Sequence, residues 1–204
     1  MLKELFESTF FITYPAKRHV NVALVEQVYN ANFSLVDAKA CRDCPHVCDR
    51  VVSGRKQQLL VVTHTDVHVI SLDEVFECVE ENLGDTCDYM LDGDRQVILV
   101  EMTCSSSNYV ISKRQKARSQ LYNSLCVLFT NPDIRKHLLE KQIRYVVFSW
   151  KETKFDKDVD EGSVEGNMRA MTGMADEVYS PDNVSKFDFD FLLKEIRFPQ
   201  PLVW

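Results

Sequence analysis

Residues 87–103, CDYMLDGDRQVILVEMT, decide how this chain can fold. The turn signal DGDR at 92–95 separates two apolar runs, and this pattern predicts a β-hairpin. Asp88 lies at the start of the first run, and Glu101 lies at the end of the second. The sequence therefore predicts two acidic side chains on neighbouring strands.

The length of the turn determines whether Asp88 and Glu101 share a face of the sheet. A two-residue turn pairs Asp88 with Val97, and a four-residue turn pairs it with Leu99. Both put Asp88 on the Glu101 face, whereas a three-residue turn would not. Because two facing carboxylates destabilise a fold unless a cation or a proton lies between them, the pattern favours a metal site. The alternative is that Asp88 caps a turn and Glu101 pairs with a surface arginine.

Composition limits the class of protein. The 204 residues suit one large domain, and a hydrophobic content of 45% supports a true core. The net charge of −7 argues against a protein that coats nucleic acid, but an acidic protein can be a nuclease whose acids hold cations. We expect no membrane partner, because no apolar run is long enough to span a bilayer and the N-terminus lacks a signal peptide. Seven cysteines, an odd number, favour a reducing cytoplasmic setting.

Hydrophobic periodicity predicts an α/β (α+β) fold, with a mixed β-sheet flanked by helices. Predicted helices cover an N-terminal segment up to Thr13 and residues 17–31, 71–83, 112–129, 131–141 and 188–196. Predicted strands cover residues 59–63 and 67–70, the two arms of the hairpin, and 143–150, and residues 33–37 form a short apolar run. We expect a single domain over 1–204, with a core at about 15–150, a polar loop at 38–57, an acidic loop at 151–186 with a short helix near Met168–Met174, and a C-terminal helix and tail at 187–204.

Cap signals set the predicted helix starts. Capping boxes begin at Ser71 and Ser112, and Asn131 followed by proline predicts a third start. Gly84 is the predicted stop of the helix that begins at Ser71.

The predicted helix after the hairpin has two stripes. Lys113, Lys116 and Gln120 recur at helical spacing and form a polar stripe. Next to it runs an apolar stripe that would pack on the sheet, made of Ala117, Leu121, Leu125 and Leu128. The lysines therefore border the buried face, where an ammonium group could stabilise negative charge near the two acids.

The order of Asp88, Glu101-x-Thr103 and a helix bearing Lys113 and Lys116 resembles the PD-(D/E)XK nuclease superfamily. More narrowly it resembles the cap-snatching endonucleases of segmented negative-strand RNA viruses. These form the N-terminal domain of the L polymerase in arenaviruses and bunyaviruses, and of the PA subunit in influenza-like viruses. In that group the lysine of the common Glu-x-Lys triplet has moved to the following helix, and the resemblance covers roughly residues 15–150.

The resemblance implies a nuclease fold and two-metal hydrolysis of RNA, with Mn²⁺ or Mg²⁺ as the ions. Its implied substrate is single-stranded capped host mRNA, cut to supply primers for transcription. Its implied partner is the remainder of the viral polymerase polypeptide, in the host cytoplasm and the virion. Asp88 and Glu101 match the two central ligands, and Lys116 matches the catalytic lysine, with Lys113 as the runner-up. Arg114 and Gln120 are candidate RNA contacts on the same helix.

Two further ligands are implied upstream. Asp37, at the end of the FSLVD run, is the candidate third acid. His19 matches a histidine ligand of many bunyavirus and influenza-like members, and arenavirus members lack that histidine, so its role stays open. Cys87 departs from the group, where a proline usually precedes the aspartate.

A second cluster consists of Cys41, Cys44 and Cys48, with His46 between them. Such spacing could hold a structural zinc ion, but no second Cys-x2-Cys pair completes the site. A cysteine-rich loop in a reducing compartment is the favoured interpretation.

Two other functional classes remain open. One is a catalytically degenerate nuclease fold that binds RNA or protein, and divalent-ion binding distinguishes it from an enzyme. The other is a cellular nuclease of restriction or repair type, which would prefer DNA.

Overall fold

The computed structural model describes residues 2–17, 26–36, 58–105, 110–152 and 184–204. A seven-stranded mixed sheet and a three-stranded sheet are flanked by helices, which confirms the predicted α/β (α+β) class. The predictions for the loop at 38–57 and the short helix near Met168–Met174 lie outside the described residues.

Helices occupy the N-terminus and the segment after the hairpin. The N-terminal part consists of α1 (Leu2–Leu5), a π-helical turn (Phe6–Phe10) and α2 (Phe11–Thr13). Three more described helices are α3 (Leu72–Glu77), α4 (Val110–Phe129) and α5 (Pro132–Glu140). The Asn131 side chain accepts hydrogen bonds from the amides of Asp133 and Ile134, which confirms the predicted start of α5.

Strands make up most of the remaining described chain. In chain order they are β1 (Gln27–Tyr29), β2 (Phe33–Leu35), β3 (Leu59–Val62), β4 (Val67–Ser71), β5 (Tyr89–Asp92), β6 (Gln96–Ser105), β7 (Ile143–Glu152), β8 (Val184–Lys186), β9 (Leu192–Arg197) and β10 (Pro201–Val203). The large sheet has the order β1-β4-β5-β6-β7-β9-β8, and the small sheet has the order β10-β3-β2. Within the large sheet, the β6–β7 and β7–β9 pairs are parallel and the others are antiparallel.

The large sheet has an apolar core on each face. On one face it packs against the helices, with Val97 and Leu99 of β6 beside Leu121 and Leu125 of α4. On the other face it packs against the small sheet, whose side chains meet Ile98, Val100 and Met102. Because α1, the π-helical turn, β9 and β10 contribute buried side chains, the core extends beyond the predicted 15–150.

The hairpin has a register that differs from both predicted pairings. Tyr89 pairs with Val100 and Asp92 pairs with Val97, and the Gly93 amide donates to the Gln96 carbonyl at 3.0 Å. Asp88 therefore precedes the ladder at the level of Glu101 and is opposite neither Val97 nor Leu99. Relative to both predicted pairings, the register is shifted by an even number of residues. Asp88 therefore still lies on the same face of the sheet as Glu101.

The prediction of a helix at 17–31 is wrong in the part of that range that the structure describes. Residues 27–29 form β1, which pairs antiparallel with β4, and Gln27 lies opposite Val69. The valine spacing fits a helix, but pairing with a distant strand overrode that local preference.

The capping boxes at Ser71 and Ser112 are wrong in detail. Ser71 is the last residue of β4 and makes no side-chain cap, and α3 ends at Glu77 rather than near Leu83. Beyond α3, the carbonyl of Cys78 and the amide of Glu80 bond to the segment around Pro15, so they are not free to continue a helix. Further along, α4 begins two residues before Ser112, at Val110.

The predicted C-terminal helix at 188–196 is also wrong. Phe189 and Asp190 have positive φ angles of 60° and 61°, which end any helix there, and β9 follows. Leu193 is buried against the helices and Ile196 against the small sheet. Apolar residues three apart suit a strand that is covered on both faces, because successive side chains alternate.

Candidate active site

A cleft of about 600 Å³ opens between α3, the hairpin and α4. Acidic side chains outnumber basic ones along it. The acids are Asp73, Glu77, Glu80, Glu81, Asp85, Asp88 and Glu101, and the bases are Lys17, Lys113 and Lys116. Such a surface attracts cations and repels the phosphates of nucleic acid unless cations are bound.

Asp88 is held at the cleft by backbone contacts on two sides. Its amide donates to the Val100 carbonyl at 3.0 Å, and its carbonyl accepts from the Leu72 amide at 2.9 Å. Its carboxylate accepts from the Met102 amide at 2.7 Å. The side chain is 7% exposed. Asp88 therefore has a fixed position between α3 and β6.

Glu101 lies in the middle of β6 and is also 7% exposed. Its neighbour across the parallel β6–β7 pair is Phe148, which lines the same cleft. Thr103, in the place of the lysine of a Glu-x-Lys triplet, lines the cleft as well. The structure therefore brings both predicted acids and Thr103 to one face, as side-chain alternation requires.

The pKa of the buried Cys87 thiol reflects the negative charge of this region. Burial raises the pKa of Cys87 well above its usual range, and the charges of Glu101, Asp88 and Asp73 act in the same direction. A hydrogen bond with Ser124 opposes the rise. Three carboxylates therefore act on one buried thiol, which stays neutral at physiological pH.

The opposite wall of the cleft is the polar stripe of α4. Lys113, Lys116 and Gln120 all line it, as predicted, and the apolar stripe beside them is buried. Lys116 Nζ lies 3.4 Å from Asp85 Oδ2 in an exposed ion pair, and Gln120 donates to the Thr86 carbonyl at 2.9 Å. The helix therefore presents two ammonium groups to the cleft that holds the acids.

The predicted RNA contact at Arg114 is not supported by its position. Arg114 Nε lies 2.9 Å from Glu195 Oε2 of β9, and Arg114 is not among the described residues that line the cleft. It follows Lys113 by one position, and one residue along a helix turns a side chain by about 100°. Arg114 therefore ties α4 to the sheet.

Asp73 is an acid of the cleft that the sequence did not identify. It lies in the first turn of α3 and accepts a 3.3 Å hydrogen bond from the Thr86 hydroxyl. The sequence pattern assigned it to a capping box only. Its nearness to Asp88 follows from the pairing of β4 with β5, where Ser71 lies opposite Tyr89. An acid in the first turn of a helix that follows a strand is a weak signal unless the order of the strands is known.

Neither a family model, nor a curated protein, nor a solved structure matches the chain. The function is therefore inferred from the cleft itself.

The cleft is chemically suited to hard divalent cations. Asp88 and Glu101 offer buried carboxylate oxygens, the donors that Mg²⁺ and Mn²⁺ prefer. In the described part of the chain, no three His, Cys, Asp or Glu side chains form a group that could hold a metal ion. A complete ligand set would need further donors, and the two predicted ones, Asp37 and His19, lie outside the described residues.

For the cysteine cluster, the sequence favoured a cysteine-rich loop over a zinc site. Cys41, Cys44, Cys48 and His46 all lie outside the described residues. Three cysteines elsewhere, Cys78, Cys87 and Cys126, are free thiols.

Among the described helices, none combines the length and apolar character needed to cross a membrane.

Proposed function

We propose that this protein is a divalent-metal-dependent endoribonuclease that cleaves single-stranded RNA. The single observation that carries the proposal is the convergence of buried Asp88 and Glu101 with Lys113 and Lys116 on one cleft. Buried acids of like charge are costly, and a bound cation offsets that cost.

The chain's own residues have distinct parts in this proposal. Asp88 and Glu101 would hold Mn²⁺ or Mg²⁺, and hydrogen bonding by the Met102 amide keeps the Asp88 carboxylate oriented. Bound ions would supply Lewis-acid activation of water and of the phosphodiester. Lys116, with Lys113 as the alternative, would stabilise negative charge on the leaving oxygen. Phe148 and side chains of α3 also line the cleft.

The biological role that we propose is cap-snatching. Host mRNA would be cut near its cap to supply primers, with the remainder of a viral polymerase as the partner in the host cytoplasm. The support is the agreement of the residues at the cleft with the motif order Asp88, Glu101-x-Thr103 and lysine-bearing helix.

The test combines cleavage with ion binding. Purified protein is incubated with capped single-stranded RNA, uncapped single-stranded RNA and single-stranded DNA, each with Mn²⁺, with Mg²⁺ and with EDTA. We expect RNA cleavage that EDTA abolishes. Thermal unfolding with Mn²⁺ should show a raised melting temperature, because an ion that binds only the native state stabilises it by about 2.7 kcal/mol at 100 times its Kd.

Each alternative function has its own outcome in this experiment. A degenerate nuclease fold would show neither cleavage nor a rise in melting temperature with Mn²⁺. A nuclease of restriction or repair type would cut DNA faster than RNA. Either result would contradict the proposed RNA endonuclease.

A further inference from the structure

The segment that leads into Asp88 is fastened to α4 by side chains of that helix. Asn123 Nδ2 donates to the carbonyls of Leu83 and Asp85, at 2.6 and 3.1 Å. One turn earlier, Gln120 Nε2 donates to the Thr86 carbonyl at 2.9 Å. Three carbonyls of this loop, those of Leu83, Asp85 and Thr86, thus accept hydrogen bonds from one helix.

A buried hydroxyl extends the same contact to the residue before Asp88. The Cys87 amide donates to Ser124 Oγ at 2.9 Å, and Ser124 Oγ donates to the Gln120 carbonyl at 2.9 Å. Ser124 is fully buried. We call Gln120, Asn123 and Ser124 the polar row of α4.

Gly84 permits the close approach of the loop to this helix. Its φ angle is +78°, and a Cβ atom there would lie 3.3 Å from Asn123 Nδ2. A larger residue would have to displace the amide that holds Leu83 and Asp85. The backbone of the loop is therefore shaped to receive the polar row.

The polar row and the lysines of the cleft are on the same rigid helix. Lys116 precedes Gln120 by one turn, and Lys113 precedes it by two turns. The other end of the fastened loop is Asp88. We propose that the polar row consists of positioning residues that set the separation between the Asp88 carboxylate and the ammonium groups of Lys113 and Lys116. This inference rests on the proposed nuclease function.

The polar row is not needed to hold α4 on the sheet. Leu121, Leu125 and Leu128 of that helix are fully buried in the core and anchor it independently. Loss of a polar contact at the half-buried Asn123 should therefore leave the fold in place and loosen only the loop. Displacement of a catalytic group by about 1 Å can lower a rate by about 100-fold.

The test is the steady-state kinetics of Asn123→Ala in the full chain, with Ser119→Ala as the matched control. Ser119 is on the same helix, is exposed, and its hydroxyl donates to the Gln115 carbonyl. We expect Asn123→Ala to lower kcat by about 10- to 100-fold. KM for RNA and the Mn²⁺-induced rise in melting temperature should change less than about twofold, because the acids that would hold the ions are intact. Ser119→Ala should behave as the wild type.

The results separate failure of this inference from failure of the proposed function. If the wild type cleaves RNA and Asn123→Ala keeps its kcat, or raises KM with kcat unchanged, the positioning role is overturned and the nuclease stands. If the wild type does not cleave RNA with Mn²⁺, both fall together. Should Asn123→Ala fail to fold, Gln120→Ala removes a single bond of the row and must lower kcat in the same way.

Discussion

The Asp88 carboxylate accepts a 2.7 Å hydrogen bond from the backbone amide of Met102, the residue directly after Glu101. The amide of Asp88 in turn donates to the carbonyl of Val100, the residue directly before Glu101. Both neighbours of Glu101 in β6 therefore hold Asp88. The two acids therefore keep their relative position unless the hairpin itself separates.

The two acids are the first point to test. We expect Asp88→Asn and Glu101→Gln to lower RNA cleavage by more than about 100-fold, because each removes a carboxylate that would hold an ion. The Mn²⁺-induced rise in melting temperature should shrink in both variants. Asp94→Asn in the exposed turn of the same hairpin is the charge-matched control. Cleavage by either site variant at the wild-type rate would contradict the assignment.

We predict different effects on kcat for substitution of the two lysines. Lys116→Ala should lower kcat by about 100-fold or more, the effect of losing one group that stabilises transition-state charge. Lys113→Ala should lower kcat by a smaller factor. Asp85→Asn should retain kcat or raise it, because it removes the exposed partner that lies 3.4 Å from Lys116. A larger loss for Lys113→Ala than for Lys116→Ala would move the catalytic assignment to Lys113.

Because of the Cys87 thiol, we predict that the free energy of unfolding falls at alkaline pH. Burial, with the charges of Glu101, Asp88 and Asp73, raises the pKa of Cys87 well above the ordinary range of a thiol. Above about pH 9 the unfolded chain releases this proton and the folded chain keeps it, so the free energy of unfolding decreases as the pH rises. Below that pH both the folded and the unfolded chain keep the proton, so Cys87 makes its full contribution to the free energy of unfolding.

Urea unfolding between pH 8 and pH 10.5 measures this decline, with the range set by the ordinary thiol pKa of about 8.5–9. Cys87→Ala should lower stability at all pH values and make the alkaline slope shallower. An unchanged slope would show that Cys87 does not contribute to it.

Gly93 in the hairpin turn should not tolerate a side chain. A Cβ atom there would lie 2.7 Å from Cζ2 of Trp204, whose amide donates to the Val62 carbonyl at 2.9 Å. We expect Gly93→Ala to lower the free energy of unfolding by about 1–3 kcal/mol, the usual cost of overpacking.

A double-mutant cycle isolates the contact between Gly93 and Trp204. In a Trp204→Ala background, Gly93→Ala should be neutral or stabilising, because the ring is gone and alanine restricts the unfolded chain. The coupling free energy from urea unfolding should be about 0.5–3 kcal/mol. Additive effects would exclude a steric conflict.

Local signals predicted the elements that depend on neighbouring residues. The hairpin followed from the DGDR turn, the start of α5 followed from Asn131 and Pro132, and the buried stripe of α4 followed from its period. Predictions failed where a distant strand was decisive. Residues 27–29 pair with β4, and residues 192–197 lie between β7 and β8, so helical spacing was misleading in both places.

By itself, the sequence determined that Lys113 and Lys116 share a stripe, and that Asp88 and Glu101 share a face provided that the turn between their strands has an even number of residues. Both follow from the fixed periods of a strand and a helix, which need no knowledge of the rest of the chain. Tertiary structure alone decided the pairing of Tyr89 with Val100, the arrival of Asp73 at the cleft and the contact of the polar row with the loop before Asp88. These depend on which distant segments pack together, and no local period encodes that choice.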